Sequence, residues 1–194
     1  MKYFTAFCVA AALSFGAWAQ TTPQSEVGQR RVDQQDRIAN GVQDGQLTTG
    51  ETGRLENQEA GINQEIRADR TADGGRLTGA EKAQINGQQN HLSREIYSDK
   101  HNASVAHYGN NEVGTRRYDQ QQRIANGIRS GRLTAGETSN LERGESNINR
   151  EVRDDRRANG GPLTRGERRS VNRQMNRQSA RIYRDKHNGA NGPR

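Results

Sequence analysis

The sequence predicts an all-α protein made of two tandem three-helix repeats, joined by a short linker and built around a thin hydrophobic core. Three observations support this fold class. The chain repeats itself at a constant offset of 86 residues, with Glu26 aligned to Glu112. It contains the unit Gly-x-Leu-Thr-x-x-Glu four times, and its apolar residues recur at helical spacing.

The duplication defines the predicted domains. Residues 26–102 align with 112–188 without a gap, and 44 of these 77 positions are identical. We therefore predict two helical repeats over these ranges. The predicted division of the chain is a signal peptide at 1–19, repeat 1 at 26–102, a linker at 103–111, repeat 2 at 112–188 and a tail at 189–194 that is disordered by composition.

The four copies of the repeated unit have the spacing of a helix capping box. A threonine at the N-cap accepts a hydrogen bond from the first turn, and a glutamate three residues later accepts one from the cap's own N–H group. The four pairs are Thr48/Glu51, Thr78/Glu81, Thr134/Glu137 and Thr164/Glu167. The glycine that opens each unit, Gly45 in the first copy, suits the end of a preceding helix. The leucine, Leu47, is expected to fill a shared core.

Three helices are predicted in each repeat, over about 28–41, 49–70 and 79–101 in the first. Apolar residues form a narrow seam on the second and third helices of both repeats. They are Leu55, Ile62, Ile66, Ile85, Leu92 and Ile96, then Leu141, Ile148, Val152, Val171, Met175 and Ile182. Polar residues interrupt this seam at Glu59, Glu145, Gln89 and Gln178. A seam this narrow predicts a thin core and loose tertiary packing.

Residues 1–19 have the pattern of a secretory signal. Lys2 precedes an apolar stretch over residues 4–15, and Ala17-Trp-Ala19 matches an A-x-A cleavage site. We expect a periplasmic or secreted protein, with no transmembrane segment after cleavage. Cys8 is the one cysteine in the sequence, so the processed chain would lack thiol and disulfide chemistry.

The repeated unit also resembles part of the EF-hand calcium loop. Gly45 and Glu51 stand at the positions of that family's invariant glycine and bidentate glutamate. The resemblance implies calcium ligands at Asn40, Asp44 and Glu51, although Val42 replaces an oxygen ligand. In the second and fourth copies arginine occupies the first ligand position, so we interpret the units as caps and keep calcium, the one cofactor considered, as an alternative.

Charge is distributed unevenly between the repeats. Residues 20–103 carry 10 Lys/Arg and 13 Asp/Glu, which gives −3, whereas residues 104–194 carry 19 and 10, which gives +9. This asymmetry suggests either two differently charged solvated surfaces, a polyanion partner for repeat 2, or self-association between acidic and basic repeats. The candidate polyanion contacts are Arg165, Arg168, Arg169, Arg173, Arg177, Arg181 and Arg184. Aromatic residues that would favour nucleic acid do not alternate with them.

A second repeated motif is Ile-Tyr-x-Asp-Lys-His-Asn, at 96–102 and 182–188. We interpret it as a helix end, in which Ile96 and Tyr97 cover the core, Lys and His lie beside exposed carbonyls, and Asn188-Gly189 forms the C-cap. No nucleophile elbow, phosphate-binding loop or zinc-protease motif is found in the sequence. The sequence therefore favours a protein that is not an enzyme.

The phrases Arg-Ile-Ala-Asn-Gly at 37–41, Gly-x-Leu-Thr-x-Gly-Glu at 45–51 and Ile-Tyr-x-Asp-Lys-His-Asn together resemble an uncharacterised exported proteobacterial repeat family. The resemblance covers both repeats and implies location and architecture without an activity. We favour an exported helical binding or structural module of unknown partner. The alternatives are a degenerate EF-hand-like calcium-binding protein and a hydrophilin-like stress protectant.

Overall fold

The computed structural model describes residues 25–193, which contain six helices and no strand. The helices are α1 (Glu26–Gln43), α2 (Thr49–Ala72), α3 (Gly79–Lys100), α4 (Glu112–Arg129), α5 (Ala135–Ala158) and α6 (Arg165–Asp185). The predicted all-α class is confirmed, and three helices lie in each 77-residue repeat. The predicted signal peptide at 1–19 lies outside the described residues.

The two repeats pack directly on one another. The most extensive helix contacts join α2 to α5 and α1 to α4, so each of these helices pairs with its own equivalent in the other repeat. This is the isologous arrangement of a two-fold dimer, formed within one chain. One buried apolar cluster contains Leu55 and Ile96 from repeat 1 together with Ile124 and Leu141 from repeat 2. A smaller cluster within repeat 2 includes Val171 and lies apart from it.

All four capping boxes form. At the start of α2, the Glu51 backbone N–H donates to Thr48 Oγ1 over 3.3 Å, and the Thr48 N–H donates to Glu51 Oε2 over 2.9 Å. The same reciprocal bonds begin α3, α5 and α6. Leu47 and its three equivalents are buried, as the sequence predicts.

Glycines allow the leucine of the unit to lie against the preceding helix. The Leu47 N–H donates to the Gly41 carbonyl over 2.9 Å, and a Cβ at Gly41 would lie only 2.7 Å from the Leu47 side chain. Gly45 takes a φ of 70°, in the left-handed region that ends α1. The equivalent contact in repeat 2, between Gly127 and Leu133, is as close at 2.5 Å. At the turn between α1 and α2, Gly45 therefore allows the helix to end and Gly41 allows the leucine to pack against it.

The second repeated motif differs in part from its prediction. Ile96 is buried, but Tyr97 is 65% exposed and its equivalent Tyr183 is 60% exposed, so the tyrosines do not cover the core. Tyr97 is one residue from Ile96, about 100° around the helix, and it stacks on His101 with ring centroids 4.1 Å apart.

The predicted C-cap at Asn188-Gly189 is wrong as well. Helix α6 ends earlier, and Lys186 is its C-cap residue. The Asn188 side chain donates instead to Glu137 Oε1 over 2.5 Å, and Asn102 donates to Glu51 Oε1 over 2.7 Å. The end of the third helix in each repeat is thereby tied to the capping box of the second.

The segments after α3 and α6 make matching backbone contacts. The Ala106 N–H donates to the Gly45 carbonyl over 2.9 Å, and the Gly192 N–H donates to the Gly131 carbonyl over 2.8 Å. Gly192 belongs to the tail for which composition predicts disorder. Each repeat is therefore followed by an extended segment that returns to the turn between its first two helices.

We predict that Gly41→Ala destabilises the protein by about 1–3 kcal/mol, because the added methyl would overlap Leu47. Gly87→Ala is the matched control, since Gly87 lies inside α3 and a methyl group added there would meet no atom within 4 Å. It should stabilise by roughly 0.5–1 kcal/mol through helix propensity. Urea denaturation measures both changes, and equal effects of the two substitutions would contradict the packing role of Gly41.

We also predict that Thr48→Ala and Thr134→Ala each reduce the free energy of unfolding by about 1 kcal/mol, because the first turn loses a side-chain acceptor. Thr48→Ser keeps the hydroxyl and should preserve stability. Thermal melts followed by far-UV circular dichroism compare the variants. Unchanged melting of the double alanine variant would show that the caps do not contribute to stability.

Candidate functional site

Four glutamates are buried where the repeats meet. Glu56 and Glu59 lie on α2, Glu142 and Glu145 lie on α5, and each is at most 1% exposed. Residues three apart in a helix share a face, so the packing of α2 against α5 brings both pairs into one layer. The contact between repeats therefore contains a buried polar layer in addition to the shared apolar cluster.

Amide side chains from α1 and α4 donate hydrogen bonds to two of the four carboxyl groups. Gln35 Nε2 donates to Glu56 Oε2 over 3.0 Å, and Gln121 Nε2 donates to Glu142 Oε2 over the same distance. Within residues 25–193, the other oxygen of each of these two carboxyls has no hydrogen-bond partner. An ionised carboxylate in this position would be costly, whereas a neutral carboxyl leaves fewer acceptor sites unmet.

Burial changes the acidity of all four groups. It raises the pKa of Glu56 to about 8, and it raises the pKa of Glu142 well above the ordinary value. It also raises the pKa of Glu59 and of Glu145 to about 7, although the positive charges of Arg31 and Arg117 oppose the shift. The layer therefore keeps protons at pH values where exposed glutamates have already lost them, and deprotonating it would place negative charges inside the contact between the repeats.

These carboxyls have no access to a substrate. A general acid must come within hydrogen-bond distance of the reacting group, and side chains at most 1% exposed do not reach solvent. We expect their protonation to influence how firmly the repeats associate. The sequence identified Glu59 and Glu145 as polar residues on the seam but missed Glu56 and Glu142, each of which directly follows a core leucine.

The seven candidate arginines all lie on α6, beginning with its first residue. Six are exposed, and Arg181 is half-buried beside Asp185, with 3.6 Å between Nε and a carboxylate oxygen. Among residues 25–193, none of the other six has a carboxylate oxygen within 4.0 Å. The core residues Val171 and Met175 are each two positions from Arg173, about 200° around the helix. We call the exposed stripe of Arg169, Arg173 and Arg177 the arginine face.

Helix α3 provides an internal comparison for the arginine face. Ala83, Gly87 and His91 occupy the matching positions in repeat 1. These three residues line an open groove between α2 and α3 of about 770 Å³. The two repeats thus have similar interiors, but the equivalent outer surfaces of α3 and α6 carry different side chains.

Two of the three side chains that resemble calcium ligands, those of Asn40 and Glu51, have other hydrogen-bond partners. Asn40 Oδ1 accepts a hydrogen bond from Arg129 over 2.7 Å, and Asp44 is the C-cap residue of α1. Glu51 accepts from Thr48 through Oε2 and from Asn102 through Oε1. Over residues 25–193, no group of three or more His, Cys, Asp or Glu side chains is placed to hold a metal ion. Calcium binding stays a prediction.

Within the described part of the chain, no helix is both long and apolar enough to cross a membrane. No protein-family model, no curated protein and no solved structure matches the sequence.

We predict that stability falls as the pH rises from about 4.5 to about 8, the ordinary and native pKa values of Glu56. In this interval the native protein keeps protons that the unfolded chain has released, so raising the pH favours unfolding. The loss should amount to several kcal/mol between urea denaturations at pH 5 and pH 8.

A double variant tests the source of this slope. Glu56→Gln with Glu142→Gln removes two of the four titrating groups and should flatten the pH dependence, leaving the part due to Glu59 and Glu145. Glu112→Gln alters an exposed glutamate and should leave the slope unchanged. A double variant with the full slope would show that the pH dependence arises elsewhere.

Proposed function

We propose that this protein is an exported, non-enzymatic helical repeat module that binds a polyanion through the arginine face of α6. The observation that carries the proposal is the placement of Arg169, Arg173 and Arg177 on one exposed stripe, without carboxylate partners among residues 25–193. Export rests on the signal pattern of residues 1–19.

The spacing of the stripe favours an extended ligand. Arginines four residues apart are separated by about 6 Å along a helix, so the three guanidinium groups span about 12 Å. Guanidinium groups bind phosphate, sulfate and carboxylate through paired N–H donors. A flexible chain bearing regularly spaced anions can engage all three groups, whereas a single small anion can engage only its nearest neighbours.

The scaffold holds the stripe in place. Helix α6 begins in a capping box, buries Val171, Met175 and Ile182, and packs against both α4 and α5. Its buried face is thereby fixed while the opposite face stays open to solvent. Since the outer surface of α3 lacks arginine at the same positions, the proposed binding belongs to repeat 2.

The test is retention of the full chain on heparin in a salt gradient. Arg169→Ala, Arg173→Ala and Arg177→Ala together should lower the salt concentration at elution, because electrostatic affinity depends on the number of released counterions. The matched control removes the same charge from α5 through Arg143→Ala, Arg150→Ala and Arg157→Ala, and it should elute later than the α6 variant.

Two results would overturn the proposal. If the α5 and α6 variants shift equally, net charge alone explains retention. If the unaltered protein elutes from heparin at no higher salt concentration than from a weak cation-exchange resin, the arginine face has no specific affinity for polyanions. Repeating the gradient on an immobilised oligonucleotide distinguishes sulfated polysaccharide from nucleic acid as the preferred class.

A further inference from the structure

A second basic site lies in a cavity that contains no residue of α6. The cavity has a volume of about 460 Å³ and lies between the linker, the start of α2, α4 and the C-terminal half of α5. Its cationic lining residues are Arg117, Arg153 and Arg156. The linker segment 105–109 forms one wall and α2 of repeat 1 another, so the cavity exists only because the repeats are docked.

The three arginines lack ion pairs. Within residues 25–193, no carboxylate oxygen lies within 4.0 Å of any of them, and the Nε atom of Arg117 is buried without a hydrogen-bond partner. In repeat 1 the residue equivalent to Arg117 is Arg31, which does reach a carboxylate, Glu59, at 3.6 Å. Arg117 instead lies over the ring of Tyr108, 5.5 Å from its centroid. The three arginines therefore form a positive cluster without an ion pair inside 4.0 Å, although the Glu145 carboxyl is close enough to interact with the charge of Arg117.

Two further polar groups lie beside the arginines. Thr49 lines the cavity as the first residue of α2, where the backbone N–H groups that the capping box leaves free and the positive end of the helix dipole are found, beside the Glu51 carboxylate of that box. Asn149 also lines it and is only 8% exposed, and its Oδ1 has no partner within the described residues. Its Nδ2 donates to Thr49 Oγ1 over 3.4 Å. The unpaired amide oxygen is enclosed by protein, so Asn149 lines the cavity as a polar wall and not as an N–H donor.

The remaining walls are apolar or aromatic. Val105, Ala106 and Val152 contribute aliphatic surface, and Tyr108 contributes its ring. Burial raises the pKa of Tyr108 to about 12, so its hydroxyl stays protonated. A volume of about 460 Å³ is within the usual range for sites that hold small organic molecules.

We propose that this cavity binds a small organic phosphate monoester, with the phosphate held by Arg117, Arg153 and Arg156 at the start of α2 and the organic part against Tyr108 and Val152. Three guanidinium groups and a helix N-terminus match the charge and the acceptor oxygens of a phosphate dianion. The apolar wall distinguishes the ligand from free inorganic phosphate. This site is independent of the arginine face.

The experiment is calorimetric titration of the full chain with phenyl phosphate, with phenol and inorganic phosphate as separate arms. Phenyl phosphate should bind, phenol should not, and inorganic phosphate should bind at least tenfold more weakly than phenyl phosphate. Arg153→Gln and Arg156→Gln should each weaken phenyl phosphate binding at least tenfold. Arg157→Gln removes the same charge from the same helix outside the cavity and should leave the affinity unchanged.

The variant that lacks the arginine face separates the two proposals. It should elute from heparin at a lower salt concentration while keeping its affinity for phenyl phosphate. The cavity proposal would be overturned if the unaltered protein did not bind phenyl phosphate, or if Arg157→Gln and Arg153→Gln lowered the affinity equally. Neither result would bear on the polyanion proposal. Melting curves of the glutamine variants check that each remains folded.

Discussion

Helices α2 and α5 approach so closely that a hydroxyl of one reaches the backbone of the other. Ser139 Oγ donates to the Gly53 carbonyl over 3.0 Å, and a methyl group at Gly53 would lie 3.4 Å from Glu142 Cβ. This approach buries the four glutamates and holds them away from water. Because an ionised carboxylate is costly there, the packing of the repeats and the protonation of the layer depend on one another. The apolar cluster shared by both repeats and the cavity beside the linker exist only while this contact is maintained.

The Gly-x-Leu-Thr-x-x-Glu unit supplies local order where the helices of a repeat meet. In its first copy one glutamate, Glu51, accepts hydrogen bonds from the N-cap threonine and from Asn102 at the end of α3. The leucine of the same unit is buried beside a glycine of the preceding helix. Seven residues therefore join three helices of a repeat. Both polar and apolar side chains contribute to this contact.

The sequence was informative where structure depends on neighbours along the chain. Capping follows from a three-residue spacing, and the buried seam follows from helical periodicity, so both were predicted correctly. The exposure of Arg169, Arg173 and Arg177 follows from the same periodicity, since they lie opposite the seam. The docking of the repeats and the burial of Glu56 did not follow, because they depend on contacts between residues far apart in sequence. The prediction that Tyr97 covers the core was wrong for a related reason. A motif at the end of a helix does not specify which of its side chains face the core.

The cavity beside the linker could not be predicted by any local rule. Its residues come from four segments between Thr48 and Arg156, which meet only through the docking of the repeats. Divergence between the repeats indicates where binding should be sought. The buried pairs Gln35–Glu56 and Gln121–Glu142 are the same in both halves, which is what a shared interior requires. The arginine face and the start of α2, where Thr49 corresponds to Ala135, differ between the halves. Only repeat 2 carries charge on the arginine face. The cavity arginines have equivalents in repeat 1 at Arg31, Arg67 and Arg70, so the cavity is distinguished by the linker and Thr49 that close it and not by its charge.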